Sequence, residues 1–360
     1  MAHREAEDKL LRVYRKVSPS IHRLSNPENI SNFYETRRNI LNTLCLPPQI
    51  FKGKKIIDIG GGTGEKSLLY AIWGADVTIV EPNEKSCDYA KHLFSKLSLG
   101  SHLKTINQSL YEFNASIIQE YDIVICEAVL HHTYDPIKGL DLILKNLVED
   151  QIVLIALGET HGMFKRNLQV KLVRKLAGSD ERKIIEISKK YFREHIDRAI
   201  KFGVRHEDAV IYDTFVNTVD NSSNLEDICR TFEKNKVKYI SAYPRLDLFN
   251  LTIPWSQKRE DFFNYRFYKN YYQILEKVWM TCGEENLLKD MKNFDLIKIQ
   301  ARIEQNVNVL KELERKIEEG TFEDKDLDVI RKGYVGVGAN FFVGLKDEST
   351  GLERLSQLCR

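Results

Sequence analysis

Hydrophobic positions in this chain first follow helical spacing, then alternate between strand and helix. Residues 1–50 read as helical: Leu10, Leu11, Tyr14 and Val17 recur on one stretch, Phe33, Ile40, Leu41 and Leu44 on the next, and Pro47-Pro48 ends it. Short β-branched runs then alternate with amphipathic ones. The pattern predicts strands at Lys55–Ile59, Asp76–Val80, Leu103–Asn107, Asp122–Cys126 and Gln151–Leu157, with helices near Glu65–Trp73, Asn83–Leu97 and Pro136–Leu147. This is the rhythm of a doubly wound α/β sheet.

The rhythm breaks at Gly158. Residues 181–201 predict one amphipathic helix, apolar at Ile184, Ile187, Tyr191, Phe192, His195, Ile196, Ala199 and Ile200. A helix at Leu225–Asn235 and a strand at Val237–Tyr243 resume the alternation. A second departure, 244–333, holds an aromatic helix (Phe262, Phe263, Tyr265, Phe267, Tyr268, Tyr271, Tyr272) and a long amphipathic one, about 285–318. Ala339–Leu345 reads as a last strand.

Composition narrows the class. At 42% apolar and 29% charged residues the chain is of the soluble globular kind, with no run near the ~20 apolar residues of a membrane span. The charged N-terminus lacks a signal-peptide core. Six cysteines are scattered without a C-x-x-C pair, which points away from a zinc site or disulfide framework, so no metal is expected and a reducing, cytoplasmic setting is. A net charge of +2 selects no partner.

The candidate chemistry begins at Ile56-Ile57-Asp58-Ile59-Gly60-Gly61-Gly62-Thr63-Gly64-Glu65. A buried strand runs into a glycine-rich bend and a helix whose N–H groups face whatever binds there. About 20 residues on, the second strand ends in Glu81, an acid able to accept both hydroxyls of a ribose. Nucleotide readings compete for this bend. Counted from Gly60, the dinucleotide fingerprint and the P-loop both miss at Glu65, where each requires glycine. A carboxylate there repels phosphate, whereas an adenosyl ligand without phosphate meets no such conflict.

The bend resembles motif I of the class I S-adenosylmethionine (SAM) methyltransferases. The resemblance implies a doubly wound, seven-stranded Rossmann-like sheet whose last strand lies antiparallel beside strand 5. It implies that Asp58, Gly60, Gly61, Gly62 and Gly64 hold the methionine half of SAM, that Glu81 holds its ribose, and that Pro82 and Asn83 lie against adenine. Asn83 is equally suited to cap the next helix. Gln108 stands nearest the position of the family's adenine-binding acid. A second match is Glu127-Ala128-Val129-Leu130-His131-His132-Thr133-Tyr134-Asp135-Pro136, similar to the strand-4 motif of methyltransferases acting on small molecules and lipids. It implies that Glu127 lies at the SAM site and that His131 and His132 face the acceptor, either as a general base or as packing beneath SAM. Tyr34 and Arg37-Arg38 sit where related enzymes close a flap over SAM.

On this reading 1–50 is a helical cap, 51–157 the SAM-binding core, 158–223 a basic helical insertion serving as substrate lid, 224–243 the core resumed, 244–333 a second, mainly helical insertion and 334–360 the last strand and tail. Between Lys165 and Arg205, 13 Lys and Arg stand against 5 Asp and Glu. That excess reads as a clamp for an acidic or phosphorylated acceptor or a membrane surface, or as a solvated face balanced by acids elsewhere. The aromatic run 262–272 reads as an acceptor pocket, as core, or as the contact of a homodimer. Base methylation is not expected, since Glu127-Ala128-Val129 replaces the Asp/Asn-Pro-Pro-aromatic motif and no cysteine follows a proline. The expectation is a SAM-dependent methyltransferase for a small-molecule or lipid-like acceptor, with an RNA or protein modifier as the alternative.

Overall fold

A computed structural model of the chain describes residues 11–14, 24, 26–203, 205–217, 221–247, 260–281, 295–331 and 338–347. Its centre is a seven-stranded sheet: β1 (Lys55–Ile59), β2 (Asp76–Val80), β3 (Leu103–Ile106), β4 (Ile123–Glu127), β5 (Ile152–Gly158), β6 (Val237–Tyr243) and β7 (Ala339–Lys346). They lie in the order β3-β2-β1-β4-β5-β7-β6. The first five pair in parallel, and β7 runs antiparallel to both β5 and β6. Helices cover the parallel strands, so Ile56, Ile57, Val124, Ile125, Val153 and Leu154 are all buried and both strand faces read as apolar. The strand order reverses direction between β1 and β4, which opens a crevice beyond their carboxyl ends.

The helices are α1 (Pro27–Thr43), α2 (Glu65–Ile72), α3 (Glu84–Lys96), α4 (Pro136–Lys145), α5 (Phe164–Ala177), α6 (Glu181–Tyr191), α7 (Arg193–Gly203), α8 (Glu207–Ile211), α9 (Leu225–Lys234), α10 (Tyr265–Thr281) and α11 (Leu296–Glu319). Among the described residues no helix is long and apolar enough to cross a membrane.

One expectation needs correction. The single helix predicted over 181–201 is broken into α6 and α7 at Phe192, where the backbone leaves the helical range at φ −127°. Phe192 is fully buried there and stacks on Phe215 at 5.8 Å. The long helix predicted from about 285 is described only from Leu296; its expected beginning lies outside the described residues.

The helices after β5 and those after β6 share a hydrophobic cluster. Leu168, Leu172, Ile196 and Phe215 pack with Met280, Ile303, Val307, Leu310 and Ile317. Acids on α11 answer part of the basic excess: Lys171 pairs with Glu314 and Glu318, and Lys175 donates to the Glu318 carbonyl. Closer to home, Lys189 and Arg193 pair with Glu207. These exposed pairs contribute little stability, but they make much of the basic face a balanced surface. The aromatic run joins the core of the sheet. Phe263 stacks on Phe232 at 4.1 Å, and Phe262, Tyr265 and Tyr272 are buried in the same cluster.

Candidate functional site

The bend after β1 is built on left-handed glycines. Gly60, Gly62 and Gly64 have φ of 74°, 56° and 75°, a region closed to most side chains. The Gly60 N–H donates to the Val80 carbonyl at 2.7 Å, which draws the bend onto the end of β2. A Cβ at Gly60 would stand 2.3 Å from Val129 Cγ2. Gly60→Ala is therefore expected to cost about 1–3 kcal/mol of folding stability, from backbone strain and overpacking together. A denaturant midpoint within error of the wild type would refute this. Gly64 forms the N-cap of α2 and packs against Ala90.

Beyond the bend lies a cavity of about 470 Å³, lined by Gly60, Gly61, Gly62, Glu65, Glu81, Pro82 and Asn83 and also by Tyr14, His131, His132, Arg166, Arg205 and Asp213. The Glu81 carboxylate accepts from the N–H of Gly62 at 3.1 Å and of Asn83 at 2.9 Å. Those bonds fix it at the cavity wall, and a carboxylate offers further lone pairs to a ligand. Asn83 occupies the N-cap position of α3, yet its side chain makes no capping bond; it is buried against the cavity. Glu65 is buried in the same lining, where a carboxylate disfavours phosphate. The residues present thus fit a nucleoside without phosphate: glycine backbone for close approach, an oriented acid for vicinal hydroxyls, and room for the whole.

Three expected ligands stand outside the lining: Gly64, Gln108 and Asp58. Gln108 is exposed, while Leu110 and Tyr111, just after it, reach the cavity. Asp58 lies buried beneath the bend and accepts from Ser67 Oγ at 2.5 Å; burial pushes its carboxyl up to about 6. It supports the bend from behind.

Glu127 ends β4 in the cavity wall, but its carboxylate is already engaged. Arg37 Nη1 donates to Oε2 at 2.8 Å, and Arg37 Nη2 bonds both Oε1 and the Tyr70 hydroxyl. Lys66 Nζ donates to Oε2 at 3.1 Å and Tyr70 to Oε1 at 3.2 Å. Burial works to raise the Glu127 carboxyl, but the charges and hydrogen bonds of Arg37 and Lys66 outweigh it and hold it at about 2.

The two histidines differ. His131 is buried, and its Nδ1 accepts the Gly158 N–H at 3.2 Å. Its neutral ring then carries its proton on Nε2, and burial, reinforced by His132 and Arg166, holds it well below the ordinary range. His132 has Asn217 Nδ2 3.2 Å from Nδ1 and Asp213 Oδ1 3.7 Å from Nε2. Asp213 sits in the π-helical turn Tyr212–Val216, accepts the Tyr14 hydroxyl at 2.9 Å and pairs with Arg205 at 3.1 Å. Burial opposes its charge, but Arg205, His132 and Arg166 prevail and hold its carboxyl far below the usual range.

Sequence reasoning did not single out Asp213, Lys66 or Tyr70 and did not foresee what Arg37 pairs with. One signal was present: Phe33, Arg37 and Leu41 are the buried residues of α1, so a charge stands in phase with an apolar stripe. Asp213 carries a fainter one, as an acid within the apolar run 209–216.

A family model described as a methyltransferase domain matches residues 31–186. A ubiquinone biosynthesis O-methyltransferase of Aromatoleum aromaticum is 39% identical over 85 residues, 23% of this chain and 35% of that protein. The mitochondrial ubiquinone biosynthesis O-methyltransferase of Schizosaccharomyces pombe is 32% identical over 102 residues, 28% of this chain and 36% of that protein. The chain thus spans about a third of the length of these curated relatives. Among solved structures, PKMT2 from Rickettsia typhi in complex with AdoHcy aligns at 14% identity and a TM-score of 0.47, covering 68% of this chain and 51% of that one. With the domain match set beside the sheet order and the glycine bend, residues 31–186 are a methyltransferase domain of the class I, S-adenosylmethionine-dependent family.

Proposed function

We propose that the chain transfers the methyl group of SAM to a hydroxyl oxygen of a small-molecule acceptor. One observation carries the reading: a single cavity is lined both by the glycine bend and Glu81 and by His132 and Asp213. The backbone of Gly60, Gly61 and Gly62 would approach the methionine half, Glu81 would accept the ribose hydroxyls, and Pro82 and Asn83 would flank the base. When bound, SAM supplies an electrophilic methyl on a sulfonium. The chain's own work is then to align an acceptor and remove its proton.

His132 is the residue we assign to proton removal. The ionised Asp213 beside Nε2 orients the ring and stabilises the imidazolium that forms. His131 is assigned to positioning, because its Nδ1 lone pair is committed to the backbone N–H of Gly158, whereas Nδ1 of His132 faces the side-chain amide of Asn217, which an acceptor hydroxyl would displace as it gives up its proton there. Glu127, engaged by Arg37 and Lys66, shapes the floor of the SAM site. The choice of a hydroxyl acceptor also draws on the named O-methyltransferase relatives. An acidic group on the acceptor would meet Arg166 and Arg205 on the cavity wall, both already turned to Asp213. The scattered cysteines support a cytosolic setting for this reading.

Isothermal titration with SAM and S-adenosylhomocysteine tests the cofactor. Binding of both is expected, and absence of heat with either would defeat the reading. Glu81→Ala is expected to weaken SAM by about 1.5–3 kcal/mol, since it removes charge-assisted hydrogen bonds. Unchanged affinity would mean that the ribose lies elsewhere.

A further inference from the structure

Away from the cavity, Glu159, His161 and Glu276 converge although 115 residues separate the last two. One ligand atom from each lies within 4.8 Å of the others. Glu159 is fully buried directly after β5, with Oε2 held by the N–H of His161 and of Gly162, each at 2.8 Å. Its Oε1 stands 3.0 Å from His161 Nδ1. Glu276 comes from α10 and is only 8% exposed.

Glu276 has no hydrogen-bond donor among the described residues, though its carboxylate is aimed into the cluster. A second carboxylate beside it adds repulsion. The backbone N–H groups already hold Glu159 in place, as a supporting shell holds a metal ligand. A shallow pocket of about 290 Å³, bordered by His161, Gln273, Glu276 and Lys311, gives access from solvent.

We propose that Glu159, His161 and Glu276 bind one divalent transition-metal ion, of the zinc or manganese class. One imidazole nitrogen with two carboxylates suits these ions better than calcium, which takes oxygen alone, or copper(I), which takes sulfur. Bonds of about 2.0–2.2 Å would draw the three side chains slightly inward and leave remaining positions to water. Uptake requires a neutral imidazole, so metal and proton compete for His161. The ion would fasten α10 to the turn that follows Gly158, whose N–H holds His131.

The full chain, stripped with chelator, is titrated with Zn²⁺ and with Mn²⁺ by calorimetry, and its melting temperature is followed. The expected result is one ion per chain, proton release on uptake and a higher melting temperature. Glu276→Gln should bind at least about 100-fold more weakly, since loss of even a supporting partner costs about 10–100-fold. Its metal-free form should melt no lower than the wild type, because the substitution relieves repulsion. His161→Gln, at a part-exposed position, is the second variant and should lose the ion equally. Co²⁺ supplies the spectroscopic check: weak visible bands without thiolate charge transfer are expected. No uptake by the wild type, unchanged affinity in both variants, or a thiolate band showing cysteines as the ligands would each overturn the proposal.

Discussion

Arg37→Met is expected to destabilise the fold by roughly 3–5 kcal/mol, the range for breaking a buried ion pair by removing one partner. Arg37 is 5% exposed and the Glu127 side chain 3%, so neither end is relieved by water. The loss strands a carboxylate that Arg37 grips with both terminal nitrogens. Lys66 remains at 3.1 Å, but it is 29% exposed and supplies a single contact, which places the effect toward the lower end of the range. Chemical denaturation at pH 7 measures it. A change under about 1 kcal/mol would show that solvent or Lys66 already satisfies Glu127. The double variant Arg37→Met/Glu127→Leu should recover most of the loss, because removing both partners leaves no orphaned charge.

The pH dependence has a definite sign. Glu127 titrates at about 2 in the folded chain, against an ordinary value of 4.5. An acid with a depressed folded value contributes stability that is complete above its unfolded value and disappears as pH falls through the folded one. The wild type should therefore lose this contribution between about pH 4.5 and 2. In Arg37→Met burial is no longer outweighed, so the carboxyl favours its protonated form. The gap between wild type and variant should be widest at neutral pH and narrow as the solution is acidified. A gap constant from pH 7 to pH 4 would assign the loss to packing of the arginine stem instead.

What was legible in the sequence is what local physics dictates. Ile56, Ile57 and Ile59 before a glycine bend, with Glu81 ending the next strand, allow little besides β1, the bend and β2, and each lies where its pattern places it. The antiparallel β7 was legible only through family resemblance, since Ala339–Leu345 carries no mark of its direction. Gln108 was the nearest polar match to a motif position, but side-chain direction at a strand end depends on how the turn leaves the sheet, and this turn points Gln108 to solvent. The Glu127 network joins residues 90 positions apart, and Asp213 reaches His132 across a comparable gap. Such pairs follow from helix packing, which periodicity alone does not specify. The basic excess of 165–205 was visible, but the acids that answer it on α11 lie more than 100 residues on.

His132→Gln is expected to lower kcat by about 100- to 10,000-fold, the range for losing a general base, while leaving the affinity for S-adenosylhomocysteine within about twofold. The split follows from the roles proposed along the lining: His132 stands beside Asp213 and is not among the glycine-bend residues and Glu81 assigned to SAM. A panel of simple phenols and catechols with methyl-labelled SAM supplies the assay, and an acceptor from cell extract replaces it if none of them turns over. Asp213→Asn should follow His132→Gln in direction with a smaller loss, because it keeps the ring and the Tyr14 contact but removes the charge 3.7 Å from Nε2. The double variant should be no worse than His132→Gln, since the carboxylate acts through the imidazole. His131→Gln is expected to behave differently: the Gly158 N–H loses its acceptor, so melting temperature should fall, with kcat reduced less than in His132→Gln. Activity surviving in His132→Gln but lost in His131→Gln would reverse the assignment, and survival in both would mean that alignment in the cavity suffices without a base.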